Sequence, residues 1–268
     1  MGGTEAIHFF LAGILGLLVG SFLNVVIHRV PRSSRSTAPA INYLLVPRSA
    51  CPACGNGLGW SQLIPVLSYI FQRGRCVVCK AGISPRYPIV ELAAAGVPIY
   101  ALICYEATMA AVVVSVLMWL MIAIAAIDLE NLIVPDCLVV PLIAAGLLAN
   151  AFGIIVEADK AIFGAVVGFM SFWLMARVAR EFIGRPALGG GDVKFFAALG
   201  AWFGWQALAP ILLIASVTGL GVGLSLRFTG RLGPEAPIPF APFLAFGGAV
   251  TLFFGEALTS WLITFHPF

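Results

Sequence analysis

An all-α protein that crosses the membrane repeatedly, a polytopic chain with about eight transmembrane helices and a small cytosolic zinc-binding loop, is the fold class this sequence predicts. Three observations carry that expectation. Of 268 residues, 61% are hydrophobic and only 10% are charged, against about 25% charged in an ordinary soluble domain, so most of the chain belongs in lipid. The apolar residues are gathered into long runs, and a spanning helix needs about 20 of them in succession. The Lys and Arg residues fall into a few breaks between runs, which suits a chain whose cytosolic loops are marked by positive charge. A water-soluble fold is excluded, and a net charge of +3 gives no sign of a nucleic-acid partner.

The first run, 9–27, follows a stretch whose only charge is Glu5. It lacks a basic n-region and a small-residue cleavage motif, so it reads as a retained helix and not a signal peptide. Further runs lie at 89–104, 109–127, 138–156, 161–178, 192–206, 208–226 and 240–264, which makes eight spans, with six to nine allowed because the sixth is short and its Gly and Pro surroundings suit a kinked or re-entrant segment. Arg29, Arg32, Arg35, Arg48, Arg73, Arg75, Lys80 and Arg86 follow the first span. Arg177, Arg180, Arg185 and Lys194 follow the fifth, and Arg227 and Arg231 the seventh. If those loops are cytosolic, only Lys160 of the fifteen basic residues lies outside, and both termini face away from the cytosol. Removing a middle span would put several of these residues on the wrong side. The organisation expected is a first transmembrane helix over 1–27, a cytosolic loop over 28–88 and a membrane core over 89–268, with no internal repeat of the kind that builds inverted-repeat transporters.

The loop 28–88 contains no acidic residue and holds four of the six cysteines. Cys51-Pro-Ala-Cys54 and Cys76-Val-Val-Cys79 are two C-x-x-C pairs. In a reducing cytosol four thiolates at this spacing suit a tetrahedral zinc ion, and a site closed by four cysteines leaves no position for water, so the metal is structural. Four unligated thiols or a redox pair are the alternatives. A loop this small cannot bury a core of its own, which favours the metal. Cys104 and Cys137 read as small apolar fillers.

Asp128 closes the third span, in Ala-Ile-Asp128-Leu-Glu130-Asn-Leu-Ile-Val-Pro135-Asp136. A carboxylate at a helix C-terminus opposes the helix dipole, and ionisable residues at membrane depth mark functional sites. Glu130 reads as a solvated loop charge and Asp136, after Pro135, as a helix N-cap. Asp192 closes Leu188-Gly189-Gly190-Gly191-Asp192-Val-Lys194, where three glycines permit close backbone approach and bring the carboxylate to a helix start. Glycines also pack membrane helices and aspartates favour helix N-termini, so each half has a plain structural reading. Together they share one lipid–water boundary, and two carboxylates that approach each other share a proton, the chemistry of an aspartyl protease. His8, His28 and His266 lie near span ends, no Ser sits in a nucleophile elbow, and H-E-x-x-H is absent. A transporter using the two aspartates as a proton relay, and a noncatalytic assembly factor docking partners through its cysteine loop, are the competing classes. The first needs carboxylates near the bilayer midplane.

The order Gly20-Ser-Phe-Leu-Asn24-Val-Val-Ile-His28-Arg29, the paired C-x-x-C, Ile64-Pro-Val-Leu-Ser68, Arg73-Gly-Arg-Cys76 and Arg86-Tyr-Pro-Ile-Val-Glu91 resembles the amino-terminal half of type IV prepilin peptidases. The Asp128–Asp136 segment, Gly189-Gly190-Gly191-Asp192, which matches the family's G-x-G-D, and Pro237-Ile-Pro239-Phe-Ala-Pro242-Phe resemble its carboxy-terminal half. The resemblance spans nearly the whole chain. It implies that Asp128 and Asp192 are the catalytic pair, that the substrate is a prepilin or type II secretion pseudopilin with a basic leader and an apolar helix, and that cleavage occurs at the cytosolic face of the bacterial inner membrane. It further implies N-methylation of the new amino terminus from S-adenosylmethionine. Asn24, Arg29 and Glu91 match the family's motifs and are candidates for the methyl-donor site. Interhelix hydrogen bonding, an interface charge and a first-turn acid are their structural alternatives. The basic loop does not suit a basic leader, and anionic lipid headgroups or the methyl donor are expected against it.

Overall fold

The structure is a computed structural model that describes residues 3–33, 49–183, 189–233 and 236–265. Arg35, Arg48 and Arg185, used above to orient the spans, lie outside them, as does His266. Among the described residues the chain is helical with two isolated β-bridges and no strand. The helices are α1 (Gly3–Ser33), the short α2 (Leu67–Phe71), α3 (Arg86–Tyr105), α4 (Met109–Asn131), α5 (Asp136–Ala151), α6 (Ala158–Ile183), α7 (Gly190–Phe203), α8 (Leu208–Phe228) and α9 (Ala241–Phe265). Each apolar run read from the sequence falls on one of them. Among the described residues five helical stretches, Glu5–Arg32, Arg86–Tyr105, Met109–Asn131, Ala158–Phe182 and Trp205–Phe228, are long and apolar enough to cross a membrane. α7 has 14 residues and rises about 21 Å at 1.5 Å per residue, short of the roughly 30 Å hydrocarbon core.

The chain forms two compact units, Met1–Ala123 and Ile124–Phe268. In the first, α1 packs along α3. Lipid tails are as apolar as leucine, so helices associate through close backbone contact, and Gly16 and Gly20 supply it: a Cβ at Gly16 would lie 2.5 Å from Ala94 O, and one at Gly20 2.6 Å from Glu91 Cα. The first part of α4 joins through Trp119, whose Nε1 donates to Ala94 O at 2.9 Å.

In the second unit α7 is the central helix, and Phe195 to Phe203 are all buried. A helix apolar all round belongs inside a bundle. It packs on α5 and α6. Gly164 and Gly168 of α6 face Gly200 and the Phe196–Ala197 backbone of α7 with no room for a side chain, and Phe172 stacks on Phe196 with ring centroids 4.0 Å apart. The far end of α7 is tied by polar groups. Trp202 Nε1 donates to Leu142 O at 2.8 Å. Asn150, fully buried, donates to Ala201 O and Trp202 O while its Oδ1 accepts the Ile155 and Val156 N–H groups.

Candidate active site and metal centre

Asp128 lies near the end of α4, 5% exposed, behind the fully buried Ile124 and Ile127. Its Oδ2 accepts the Ala241 N–H at 3.0 Å. Ala241 is the first residue of α9, so its N–H has no acceptor within the helix, and Pro242 next to it has no N–H to offer. The carboxylate therefore caps α9 from another helix, where the positive end of the dipole favours it. Leu132 closes α4 by donating its N–H to Asp128 O at 2.9 Å. It does so at φ 55, a left-handed conformation that costs an L residue roughly 1–2 kcal/mol. Strain of this kind concentrates at functional sites.

Asp192 is the third residue of α7 and half-buried. Gly191 explains its placement: a Cβ there would fall 2.6 Å from Val134 Cβ and 3.1 Å from Val134 O. Only bare backbone lets the start of α7 lie against the turn that follows Asp128. Asp192 is within electrostatic reach of Asp128, and its Oδ1 is buried without a hydrogen-bond partner among the described residues. Two carboxylates in mutual reach titrate as a pair.

Asp136 is not the N-cap the sequence suggests. Pro135 occupies that position with no side-chain bond, and the Asp136 carboxylate instead takes both bonds from Lys194 Nζ, at 2.7 and 2.8 Å. The ion pair ties the first turn of α5 to the second turn of α7. Glu130 belongs to the last turn of α4. Cys104 and Cys137 are exposed on α3 and α5 and fill no core.

The four loop cysteines come together, with their sulfur atoms all within 4.8 Å of one another. Cys51 and Cys79 Sγ are 3.8 Å apart, which is about the S···S edge of a tetrahedron with 2.3 Å zinc–sulfur bonds and far from a disulfide. The two knuckles are geometric copies 25 positions apart. Cys51 N–H donates to Asn56 O as Cys76 N–H does to Ala81 O, and Gly55 N–H returns to Cys51 O as Lys80 N–H does to Cys76 O. Bridges pair Ala50 with Gly57 and Arg75 with Gly82. Gly55 (φ 70) and Lys80 (φ 61) share the left-handed turn position. The Cys79 and Val78 N–H groups directed at Cys76 hold its thiol down at about 6, below the usual thiol range. At Cys79 the Ala81 N–H acts in the same sense, but burial and the neighbouring thiols outweigh it and push that thiol up to about 11.

Known proteins of this pattern can now be set beside the geometry. Residues 14–106 match the bacterial peptidase A24 N-terminal domain and residues 115–224 the type IV leader peptidase family. The prepilin leader peptidase/N-methyltransferase of Burkholderia pseudomallei (strain 1026b) is 42% identical over 259 residues, covering 90% of this chain and 84% of that protein. The chain belongs to the type IV leader peptidase family. Proteins of the same name from Aeromonas hydrophila (37% identical over 279 aligned residues, 98% and 96% covered) and Pseudomonas aeruginosa PAO1 (38% over 270, 95% and 93%) are similarly close. No solved structure matches the chain.

In this leader peptidase the first-helix motif has visible work. Gly20 lets α1 lean on α3, the Ser21 side chain bonds Glu91, and Asn24 Nδ2 donates to Gly20 O and, across the helices, to Tyr87 O at 3.1 Å. Asn24 thus makes the interhelix bond expected of it, and its Oδ1 remains a buried acceptor without a partner among the described residues. Glu91 is no first-turn acid, because α3 begins at Arg86. It is buried and accepts the Val66 N–H at 2.8 Å, which fastens the cysteine loop to α3. Arg29 is half-buried on α1. Sequence reasoning missed the Ala241 contact with Asp128. The repeated prolines at 237, 239 and 242 were its only trace.

Proposed function

We propose that this leader peptidase cleaves the leaders of prepilin-like precursors with Asp128 and Asp192 as its catalytic pair, and that it then methylates the exposed amino terminus. The observation that carries the reading is that the two carboxylates stand within electrostatic reach, with Gly191 against Val134 and Asp128 held by the start of α9, in a chain whose relatives bear that name. One carboxylate takes a proton from water as the water oxygen attacks the peptide carbonyl. The other, protonated, gives its proton to the carbonyl oxygen and later assists the departing amine. Asp128 Oδ2 accepts the Ala241 N–H while Asp192 Oδ1 has no partner among the described residues, so the two carboxylates stand in unlike surroundings and share the proton as a pair.

Both carboxylates sit at helix ends, Asp128 near the last residue of α4 and Asp192 in the first turn of α7. That favours an interfacial peptidase over a relay at the midplane. The charge pattern of the loops supports a position for this edge on the cytosolic side of the inner membrane, with the working parts of the chain at 1–27, 28–88 and 89–268. A prepilin or pseudopilin would then present its basic leader to the cytosol while its apolar helix stays in lipid.

Cys51, Cys54, Cys76 and Cys79 fit a structural zinc ion, which would hold the loop together and take no part in the reaction. S-adenosylmethionine supplies a methyl group to the new amine when bound. The unspent acceptor Asn24 Oδ1 suits a donor group of such a molecule, and Asn24, Arg29 and Glu91 are the residues we assign to it. The deciding experiment is cleavage of a prepilin-like peptide in detergent by wild type, Asp128→Asn and Asp192→Asn, with folding checked by thermal melting. Both folded variants are expected to lose roughly 10²–10⁴-fold in rate, and full activity in either would overturn the dyad.

A further inference from the structure

The cysteine loop turns large apolar side chains outward. In α2, Leu67, Ile70 and Phe71 are 51%, 60% and 82% exposed. Their i, i+3, i+4 spacing puts all three on one helical face, while Ser68 and Tyr69 are only partly exposed. Trp60, in the 3₁₀ turn just before, is 91% exposed, and Ile64 between them is 47% exposed. A loop surrounded by water does not display such a patch without a partner. The polar groups beside it are of one sign. Arg73, Arg75 and Lys80 are exposed, and no acidic residue occurs from 28 to 88.

The loop's height relative to α3 identifies the partner. Val66, the residue from which α2 starts, donates its N–H to Glu91. Glu91 lies five residues beyond Arg86, where the α3 span begins, or about 7.5 Å along the helix. A backbone group fixed there lies below the level at which α3 enters the bilayer. That is the headgroup–acyl boundary, where interfacial helices bury their apolar faces roughly 5–10 Å and where tryptophan collects.

We infer that α2 and the Trp60 turn form an interfacial anchor, lying in the plane of an anionic bilayer with Leu67, Ile70 and Phe71 against the acyl chains and Arg73, Arg75 and Lys80 on headgroup phosphates. This rests on the reading of α3 as a membrane span. The anchor presses the four-cysteine centre onto the membrane surface and lets lipid neutralise the loop's charge, so that the loop does not repel a basic leader.

Photo-crosslinking of the full-length protein tests it. p-Benzoylphenylalanine in place of Phe71, a close relative of the native ring, is activated in vesicles of 70% phosphatidylcholine and 30% phosphatidylglycerol, and adducts are read by mass spectrometry. The same group in place of Leu15, 53% exposed on α1, reports the span reading separately, and peptide cleavage reports folding. Lipid adducts at both positions are expected. The Phe71 yield should be at least twofold higher than in pure phosphatidylcholine, and Arg73→Glu, Arg75→Glu, Lys80→Glu should abolish that difference. A Phe71 adduct to a second copy or to added prepilin, or no adduct there while Leu15 labels lipid, overturns the anchor alone. No lipid adduct at Leu15 overturns the span reading and the anchor with it.

Discussion

The cysteine loop and the aspartate unit are ordered by different means. Among residues 49–85 only Cys51 and Cys76 are buried, so no hydrophobic core holds the loop. Its shape comes from two matched knuckles, their backbone hydrogen bonds and whatever joins the four sulfurs. In the aspartate unit Phe195 to Phe203 of one helix are buried, glycines set the interhelix distances, and buried Asn150 and Trp202 each bond backbone carbonyls of the facing helix. A region with no core depends on its cross-link, whereas a region with a packed core depends on shape. Chemical removal should therefore undo the first and steric insertion the second.

Removing the metal draws the contrast most sharply. Binding free energies of structural zinc run to about 10–16 kcal/mol, more than a coreless loop can hold in reserve. Chelation, or Cys51→Ser with Cys76→Ser, is expected to abolish amide exchange protection over 49–85 while protection over 192–203 stays. Equal loss in both regions would break the comparison.

Gly191→Ala is the converse. The added methyl meets Val134, and overpacking costs typically 1–3 kcal/mol. The main effect falls on geometry, because displacing a catalytic group by about 1 Å can cost on the order of 10²-fold in rate. Cleavage should drop by about that factor with partial recovery in Gly191→Ala, Val134→Gly, and zinc content should not change.

Ala241→Pro removes the N–H on Asp128 and adds two ring carbons, at a helix position that tolerates proline. A hydrogen bond to a charged group contributes about 1.5–3 kcal/mol, so cleavage should fall at least tenfold, while Ala241→Gly, which keeps the donor, stays within a few-fold of wild type. The smallest effect belongs to Asp136→Ala. Its ion pair with Lys194 has side chains 62% and 41% exposed, and such pairs contribute about 0–1 kcal/mol. A melting shift larger than that would show the pair to be part of the packed unit.

How much of this was legible in the sequence follows the range of each interaction. The apolar runs marked every long helix because burial in lipid needs only composition. The C-x-x-C spacing gave the cysteine cluster, and even its repeat is written there, since Gly57 and Gly82 follow the two pairs at the same distance. The aspartates were conspicuous as charges in apolar surroundings. What holds them was hidden. The Asp128–Ala241 bond joins residues 113 apart, and Asp136 was misread because Pro135 before a helix looks like a cap signal while its partner Lys194 lies 58 positions away. Glu91 looked like a first-turn charge because the sequence does not reveal that α3 begins at Arg86 or that a loop reaches over to it.

The hydrogen bonds at the Trp202 end of α7 also give the helix a mechanics. Asn150 and Leu142 fix that end, whereas Asp192 sits ten residues away, its Oδ1 without a partner among the described residues. With Lys194 tied to Asp136 and Phe195 to Phe203 packed between, Asp192 stands about 15 Å along the helix from Trp202. A tilt of about 4° swings Asp192 through about 1 Å, the scale on which catalytic alignment is won or lost. Any yielding of the Asp192 end on peptide entry is delivered to the carboxylate we propose as catalytic.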